Sequence, residues 1–531
     1  MDAVILDCLA TGNRLRRVST LDAIGAGPRL VLGILKSMGY DTALIPCNEV
    51  KKKASLIRRA TYVLVSGMST DLGSMERVRK FWVGKSSVAG GPSFVDYDHL
   101  LRMGYDYVVI GEAELPLPLL MERLDEDGNA SSVPNVAWLS EEGPVRNPGP
   151  PYVTEPHLWR FTPDTEAVRS YPGWWGARVY VEVVRGCSNF YRPTLRLADG
   201  RRCVFCDICR TGPLGKRGFC PINIPPGCGY CSVPALFGPA RSRPLRAIVD
   251  EVHELLNMGV RRVVLSAPDI LDYGRDWLVK PEPLTDPRNP PPNLDALEAL
   301  LSSVTDHPRV RDGEAYVLVE NIKPNLVNEE VAKLLGKYLR GTPAHIGLET
   351  GDEEHHRALG RPSTVSEVIR AVKLLKEAGL IPYVYIIHGL PGENERTVRN
   401  TINAVEQVRR AGAEHITLYR FTPLKGTAFE GFPRPPPAVK SVARPLYETV
   451  RRLNKEANAG YVGKVVKVVG VSKLGNVTVS YMLPHGPVVR VKGGRPEELV
   501  GSAFFVRVTG VIKERVLEGV PINRGRDIGM S

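Results

Sequence analysis

Seven of the nine cysteines in this 531-residue chain (Cys187, Cys203, Cys206, Cys209, Cys220, Cys228 and Cys231) fall within one short stretch, and no other feature restricts its fold and chemistry so strongly. The opening Met1-Asp2-Ala3-Val4-Ile5-Leu6-Asp7 lacks the basic start and long apolar centre of a secretion signal, so the crowding reads as metal ligation before disulfides. No apolar run approaches the roughly 18 residues of a membrane helix, which sets the expectation of a cytoplasmic protein with no membrane partner. Apolar residues at 43% and charged residues at 24% exclude a wholly disordered or fibrous chain. The net charge of +12 favours polyanionic partners such as RNA.

The hydrophobic pattern predicts an α/β protein in three parts. Residues 1–150 alternate short apolar runs (Val4-Ile5-Leu6, Ala43-Leu44-Ile45, Tyr62 to Val65, Ser87-Val88-Ala89, Tyr107 to Ile110) with amphipathic stretches, as in a Rossmann-like parallel sheet. Gly90-Gly91-Pro92 and Gly111-Glu112 follow two of these strands, at the edge where open α/β sheets place ligands. Residues 170–435 hold six further runs, at Val179 to Val184, Arg262 to Leu265, Ala315 to Val319, His345 to Leu348, Val384 to Ile387 and Ile416 to Tyr419. Helical patterns separate them, so a partial (β/α)6 TIM-type barrel with its chemistry at the strand carboxyl ends is expected. Thr364 with Glu367 has the form of a capping box. Residues 458–522 read as a small β-barrel, with strands at Val465 to Val469, Val477 to Ser480, Val488 to Val491 and Phe504 to Val508.

Cys187 follows the first strand of the expected barrel, and Cys228-Gly229-Tyr230-Cys231 places two more thiolates within reach of one centre. Three thiolates can hold a [4Fe-4S] cluster and leave one iron open; a structural zinc, which takes a closed set of four, is the other reading. An insertion at about residues 188–227 carries Cys203, Cys206 and Cys209 at ferredoxin-type spacing, with Cys220 downstream. These four suit an auxiliary [4Fe-4S] cluster or a zinc knuckle.

Arg185-Gly186-Cys187, then Cys228 to Pro234, with Arg241-Ser242-Arg243 after them, resembles the Cys-x3-Cys-x-aromatic-Cys region of the radical S-adenosylmethionine (SAM) superfamily. The order matches, but about forty residues separate the first two cysteines, and a rival trio of Cys187, Cys203 and Cys206 stays open. Leu348-Glu349-Thr350-Gly351 and the segment ending at Arg361 resemble the strand-four region that contacts SAM. His388 to Glu393 resembles the Gly-x-Pro-Gly-Glu turn near the adenine, and Phe421 to Thr427 resembles the last-strand segment. The resemblance implies SAM contacts from Tyr230, Glu349, Arg361, Gly389, Pro391, Gly392 and Glu393. Leu265-Ser266-Ala267-Pro268-Asp269 stands where the family has Gly-Gly-Glu, so Ser266 and Asp269 are the expected partners of the methionyl amine. It further implies a transferase-type enzyme that reduces SAM with an electron from ferredoxin or flavodoxin and abstracts hydrogen with a 5′-deoxyadenosyl radical. No catalytic residue beyond these is assigned.

Gly90 to Ser93 and Tyr107 to Glu114 resemble the cobalamin-binding-type domain of other radical SAM enzymes, without the Asp-x-His-x-x-Gly motif for axial histidine ligation. Radical methylthiotransferases carry three N-terminal cluster cysteines; Cys8 and Cys47 are only two and read as buried apolar residues. Gly460 to Val465, Val488 to Lys492 and Val506 to Val508 resemble the TRAM domain, an RNA-binding barrel. Tyr461, Tyr481 or Phe504 would then stack on bases, unless the barrel only buttresses its neighbour. The expected activity is RNA modification, in the first place tRNA methylthiolation or methylation. A protein or small-molecule substrate with cobalamin is the alternative enzyme, and a non-catalytic zinc-containing RNA-binding protein the alternative of another class.

Overall fold

The computed structural model describes residues 1–15, 22–84, 86–126 and 130–522. Near the N-terminus five parallel strands run in the order Thr42–Pro46, Ala3–Asp7, Tyr62–Ser66, Ser86–Gly90 and Tyr107–Val109. Ala3–Asp7 is buried along its whole length, as a central strand covered on both faces must be. An antiparallel hairpin, Val136–Ser140 and Gly143–Arg146, extends the sheet beside Tyr107–Val109. The sequence reading missed this hairpin, whose second strand is short and carries a glycine and a proline.

All six expected barrel strands form. Arg178–Glu182, Arg262–Ser266 and Tyr316–Val319 make one parallel sheet, and Pro343–Glu349, Ile381–His388 and His415–Arg420 another. Between the two sheets the Ile322 N–H donates to the His345 carbonyl at 3.0 Å. Helices such as Leu245–Met258, Val365–Glu377 and Glu395–Arg410 bury their apolar stripes on the strands, and the Thr364–Glu367 capping box is present. A two-residue strand from the N-terminal part, Ala23–Ile24, adds to the barrel edge beside Arg178–Glu182.

Buried ion pairs fasten the N-terminal sheet to the barrel. Arg185 bonds Glu114 and Glu182, each at 2.7 Å, Arg241 bonds Glu112, and Arg29 and Arg243 share the fully buried Glu251. Removing one partner of such a pair costs about 3–5 kcal/mol, because the charge left behind is desolvated and unpaired. The network therefore fixes how the two units face each other.

The C-terminal strands Val465–Leu474, Val477–Met482, Val488–Lys492, Ala503–Lys513 and Val516–Pro521 close into a five-stranded barrel. Val516–Pro521, with a glycine and a proline in six residues, escaped the sequence reading; it closes the barrel by pairing parallel to Val488–Lys492 and antiparallel to Ala503–Lys513. This barrel packs on the amino ends of the large barrel's strands. Trp175 Nε1 donates to the Gly470 carbonyl at 3.0 Å, and Arg515 Nη2 to Thr417 Oγ1 at 3.2 Å. Among the described residues no helix is long and apolar enough to cross a membrane.

Candidate functional site

Cys187, Cys228 and Cys231 meet at the carboxyl ends of the barrel strands. The Asn189 N–H points at Cys187 Sγ (3.4 Å), and its side-chain amide donates to Cys228 Sγ (3.2 Å) and the Gly360 carbonyl (3.0 Å). Burial pushes the Cys187 thiol up, with Cys228 adding to the effect. Burial pushes Cys231 up to about 12, with Cys228 and Cys187 adding to it. Cys228 thus acts on both Cys187 and Cys231, and a metal that takes the thiol protons would relieve the repulsion. Cations stand ready for the resulting charge: Arg361 Nη1 lies 3.9 Å from Cys228 Sγ, and the charge of Lys323 acts on Cys187. Lys323 Nζ is held by Asp272 and by Ser188 Oγ, each at 2.7 Å. Burial opposes ionisation of Asp272, but Lys323 and Arg275 outweigh it and hold its carboxyl below the usual range. Two glycines let the chain approach this closely. A Cβ at Gly186, whose φ is +78°, would overlap the Pro239 carbonyl, and one at Gly229 would enter the Phe429 ring.

The other four cysteines gather separately. Cys203, Cys206, Cys209 and Cys220 line one cavity of about 30 Å³, bounded also by Arg192 and Phe219. The structure thus groups Cys203 and Cys206 with Cys209 and Cys220 rather than with Cys187. Phe205 and Asp207 both adopt left-handed backbone, at φ +51° and +54°, which turns the loop around that point. Arg192 stitches the insertion with bonds to the carbonyls of Ile224 (2.8 Å), Arg217 (2.9 Å) and Gly218 (2.7 Å). Among the described residues no group of three His, Cys, Asp or Glu side chains closes tightly enough for a single metal ion. Cys8 and Cys47, expected as buried apolar residues, are buried and are joined to each other in a disulfide.

Around the inner trio the SAM-side residues form a connected set. Glu349 sits at a register shift with φ +61°, a conformation that a side chain other than glycine seldom adopts and that marks functional sites. Its carboxyl is pushed up by burial, against the pull of Arg361 3.7 Å away and of Tyr230. Arg361 Nη2 donates to the Gly347 carbonyl at 2.7 Å, and Nη1 to the Tyr230 hydroxyl at 3.3 Å. The turn of Gly389, Pro391, Gly392 and Glu393 is braced by His355, whose Nε2 lies 2.8 Å from the Pro391 carbonyl. Burial raises the Glu393 carboxyl. Ser266 faces the lumen and donates to Glu320 at 2.6 Å. Asp269 is fully buried; it accepts from the Leu271 and Lys323 N–H groups and lies 3.5 Å from Lys323 Nζ. Sequence reasoning missed Asn189, Glu320 and Lys323. Glu320 and Lys323 directly follow the third barrel strand, so their position at its carboxyl end was the available signal.

Above this site lies a cleft of about 350 Å³ between the carboxyl edge of the N-terminal sheet and the barrel. The glycine-rich turns at Gly25 to Gly27, Gly90-Gly91 and Gly111 form its rim, and Ile5, Leu64 and Val88 are among its apolar walls. A Cβ at Gly27 or Gly111 would meet nothing within 4 Å, so the turns leave room for a broad ligand. None of its described lining residues is a histidine. On the C-terminal barrel, Tyr461 and Tyr481 are half-buried and line a cavity shared with the large barrel, and Phe504 packs against the small barrel's core.

A family model described as the radical SAM superfamily matches residues 216–405. An uncharacterized protein of Methanopyrus kandleri is 42% identical over 525 residues, covering 97% of this chain and 95% of that protein. A probable threonylcarbamoyladenosine tRNA methylthiotransferase of Pyrococcus horikoshii is 27% identical over 294 residues, 52% of this chain and 64% of that one. Among solved structures, the radical SAM methyltransferase TsrM from Kitasatospora setae, with cobalamin and a [4Fe-4S] cluster bound, superposes with a TM-score of 0.57. It is 18% identical and covers 81% of this chain and 77% of that chain, a likeness of fold. With the motif cysteines brought together at the strand ends and the family model matching across Cys228 and Cys231, this chain carries a radical SAM superfamily domain.

Proposed function

We propose that Cys187, Cys228 and Cys231 hold a [4Fe-4S] cluster with one open iron, that SAM binds there, and that the enzyme transfers a one-carbon group to a small molecule with cobalamin in the upper cleft. The observation that carries this reading is the trio of buried Cys187 and half-buried Cys228 and Cys231, flanked by Arg361, Lys323 and Asn189, in a barrel whose Ser266 also lines the glycine-rimmed cleft. The donor set fits: three neighbouring thiols, with Cys228 close enough to act on both Cys187 and Cys231, and cations placed to balance a cluster's negative charge. When bound, the cluster and SAM supply a 5′-deoxyadenosyl radical on reduction. The chain's own part is to position and to exclude water. Tyr230, Glu349 and Arg361 would hold SAM from their bonded cluster, with Ser266 and Glu320 and the Gly389–Glu393 turn as its further contacts. Cys203, Cys206, Cys209 and Cys220 would hold a second [4Fe-4S] cluster or zinc, and ferredoxin or flavodoxin would deliver the electron. A cobalamin in the cleft would lie without an imidazole ligand from its walls.

RNA modification is the second reading, favoured by the tRNA named for the Pyrococcus relative and by the basic surface of the C-terminal barrel. Two observations weigh against it. Tyr461 and Tyr481 are half-buried in the cavity shared with the large barrel, and Lys473, Lys492 and Arg495 are paired with Glu497, Glu518 and Glu498. The Cys8–Cys47 disulfide also removes the thiols that an N-terminal methylthiotransferase cluster would use, which favours methyl over methylthio transfer. Anaerobic reconstitution followed by iron, sulfide and zinc analysis tests the core of the proposal: iron with SAM cleavage to 5′-deoxyadenosine on reduction is expected, and zinc without iron would overturn it. Loss of one modified nucleoside in a deletion strain would replace the small-molecule reading with the RNA one.

A further inference from the structure

The interior of an ordinary β/α barrel is filled by layers of branched aliphatic side chains. Here it is not. The lowest lumen-facing layer, set by the strand registers, is Arg178, Arg262, His345, Tyr383 and His415; the next is Tyr180, Val264, Leu318, Tyr385 and Thr417. These layers leave a cavity of about 470 Å³, and the C-terminal barrel supplies its floor with Tyr461, Tyr481, His485 and Arg515.

Rings dominate its walls. His345 stacks on Tyr385 with planes 7° apart, His485 stands edge-on to both His345 and Tyr383, and Tyr419 tilts against Tyr385. Burial keeps the imidazoles uncharged: it lowers His345 to about 3, His415 to about 4, and His485 well below its ordinary range. The charged groups that line it are close to balance, with Arg178, Arg262 and Arg515 against Asp22, Glu320, Glu414 and Glu514, and Asp22 pairs with both Arg178 and Arg262 at 3.0 Å. Arg262, which is 2% exposed and lines the cavity, nevertheless leaves its Nε without a partner. A cavity of drug-ligand size with aromatic walls, uncharged donors and acceptors, and an orphaned donor is built for a flat polar ring. It also leads to the chemistry. Glu320 lines its upper end and is bonded to Ser266, which lines the cleft above, and the charge of Glu349 acts on Tyr419.

We propose that this lumen cavity binds a neutral, planar heteroaromatic ring as the substrate or the ring-bearing part of it, and that the C-terminal barrel serves as the floor of that site. The word substrate rests on the radical SAM reading; the binding does not. The test uses the full chain, without SAM or reductant, in calorimetry and saturation-transfer NMR with indole and adenine as probes and cyclohexanol as the aliphatic control. At least one of the two aromatic probes binds, and cyclohexanol does not. His485→Ala weakens binding about tenfold, the worth of one ring contact, and Thr417→Trp, which fills the cavity, abolishes it. Circular dichroism checks folding, and should Thr417→Trp misfold, His485→Ala decides. The proposal is overturned if neither aromatic probe binds at millimolar concentration, if cyclohexanol binds as well, or if His485→Ala binds as the parent does. Reductive SAM cleavage is measured separately. Cleavage without ring binding defeats this proposal alone, and ring binding in a chain that cannot cleave SAM defeats the radical reading and leaves the pocket.

Discussion

The two groups of cysteines sit in contrasting surroundings. Cys187, Cys228 and Cys231 lie at the strand carboxyl ends of a rigid barrel, where Asn189 and Arg361 approach the sulfurs and the charge of Lys323 is felt. Cys203, Cys206, Cys209 and Cys220 lie on an irregular insertion, with Cys206, Val204, Phe205 and Phe219 exposed. The first environment is made by the fold and exists before any metal arrives. The second buries Leu197 and Ile224 at its base but leaves the tip around Cys206 exposed, so the shape of that tip would rest on what the thiols hold. A preorganised inner site suits chemistry, and a metal-dependent outer loop suits a structural or relay role.

The contrast breaks most sharply at the ligands themselves. Cys228→Ala or Cys231→Ala reduces SAM cleavage to background while Cys203→Ala spares it, measured as 5′-deoxyadenosine after dithionite; the reverse pattern would show that the trio is wrongly chosen. Next in size, Arg361→Gln removes the bonds to Gly347 and Tyr230 and the cation beside Cys228. SAM affinity falls about 10-fold, with partial recovery in Arg361→Lys, read by equilibrium dialysis. A smaller effect separates the two groups physically: a chelator that strips the outer site makes the segment 201–220 sensitive to limited proteolysis, with the inner barrel still protected. Equal loss of protection in both would erase the distinction.

The smallest effect is one of pH. His345 and His356 are buried and His415 half-buried in the barrel, and desolvation lowers them to about 3, 3 and 4. The unfolded chain takes up protons at these sites below about pH 6.5, whereas the folded one does not until far lower. Their contribution to stability is therefore present above about pH 6.5 and drains away as the pH falls toward 4, by about 1 kcal/mol per histidine per pH unit. The insertion at 188–227 contains no histidine. Hydrogen exchange at pH 7 and pH 5, corrected for intrinsic rates, shows the barrel loosening more than the insertion; uniform loosening would count against this assignment.

Much of the architecture was legible along the chain. Period-two and helical patterning placed the first five strands of the N-terminal sheet, all six strands of the large barrel and four of five in the small one, because alternation between buried and exposed faces is written locally. It failed where glycine and proline dilute the pattern, at Gly143–Arg146 and Val516–Pro521. Cysteine spacing also pointed to two separate groups of thiols. The grouping of Cys187 with Cys228 and Cys231 came from the family resemblance and not from spacing, which left Cys203 and Cys206 as rivals, because Cys187 and Cys228 are neighbours only after the insertion folds away between them. Asn189, Lys323 and Glu320 were not legible, since their types are common and their meaning comes from what they touch. The C-terminal barrel is the clearest case. Its sequence carried the residues of a small closed sheet with aromatic and basic side chains. Only packing against the amino ends of the large barrel decided that Tyr461, Tyr481 and His485 face inward, because the direction of a side chain is local but the surface it meets is set by contacts hundreds of residues away.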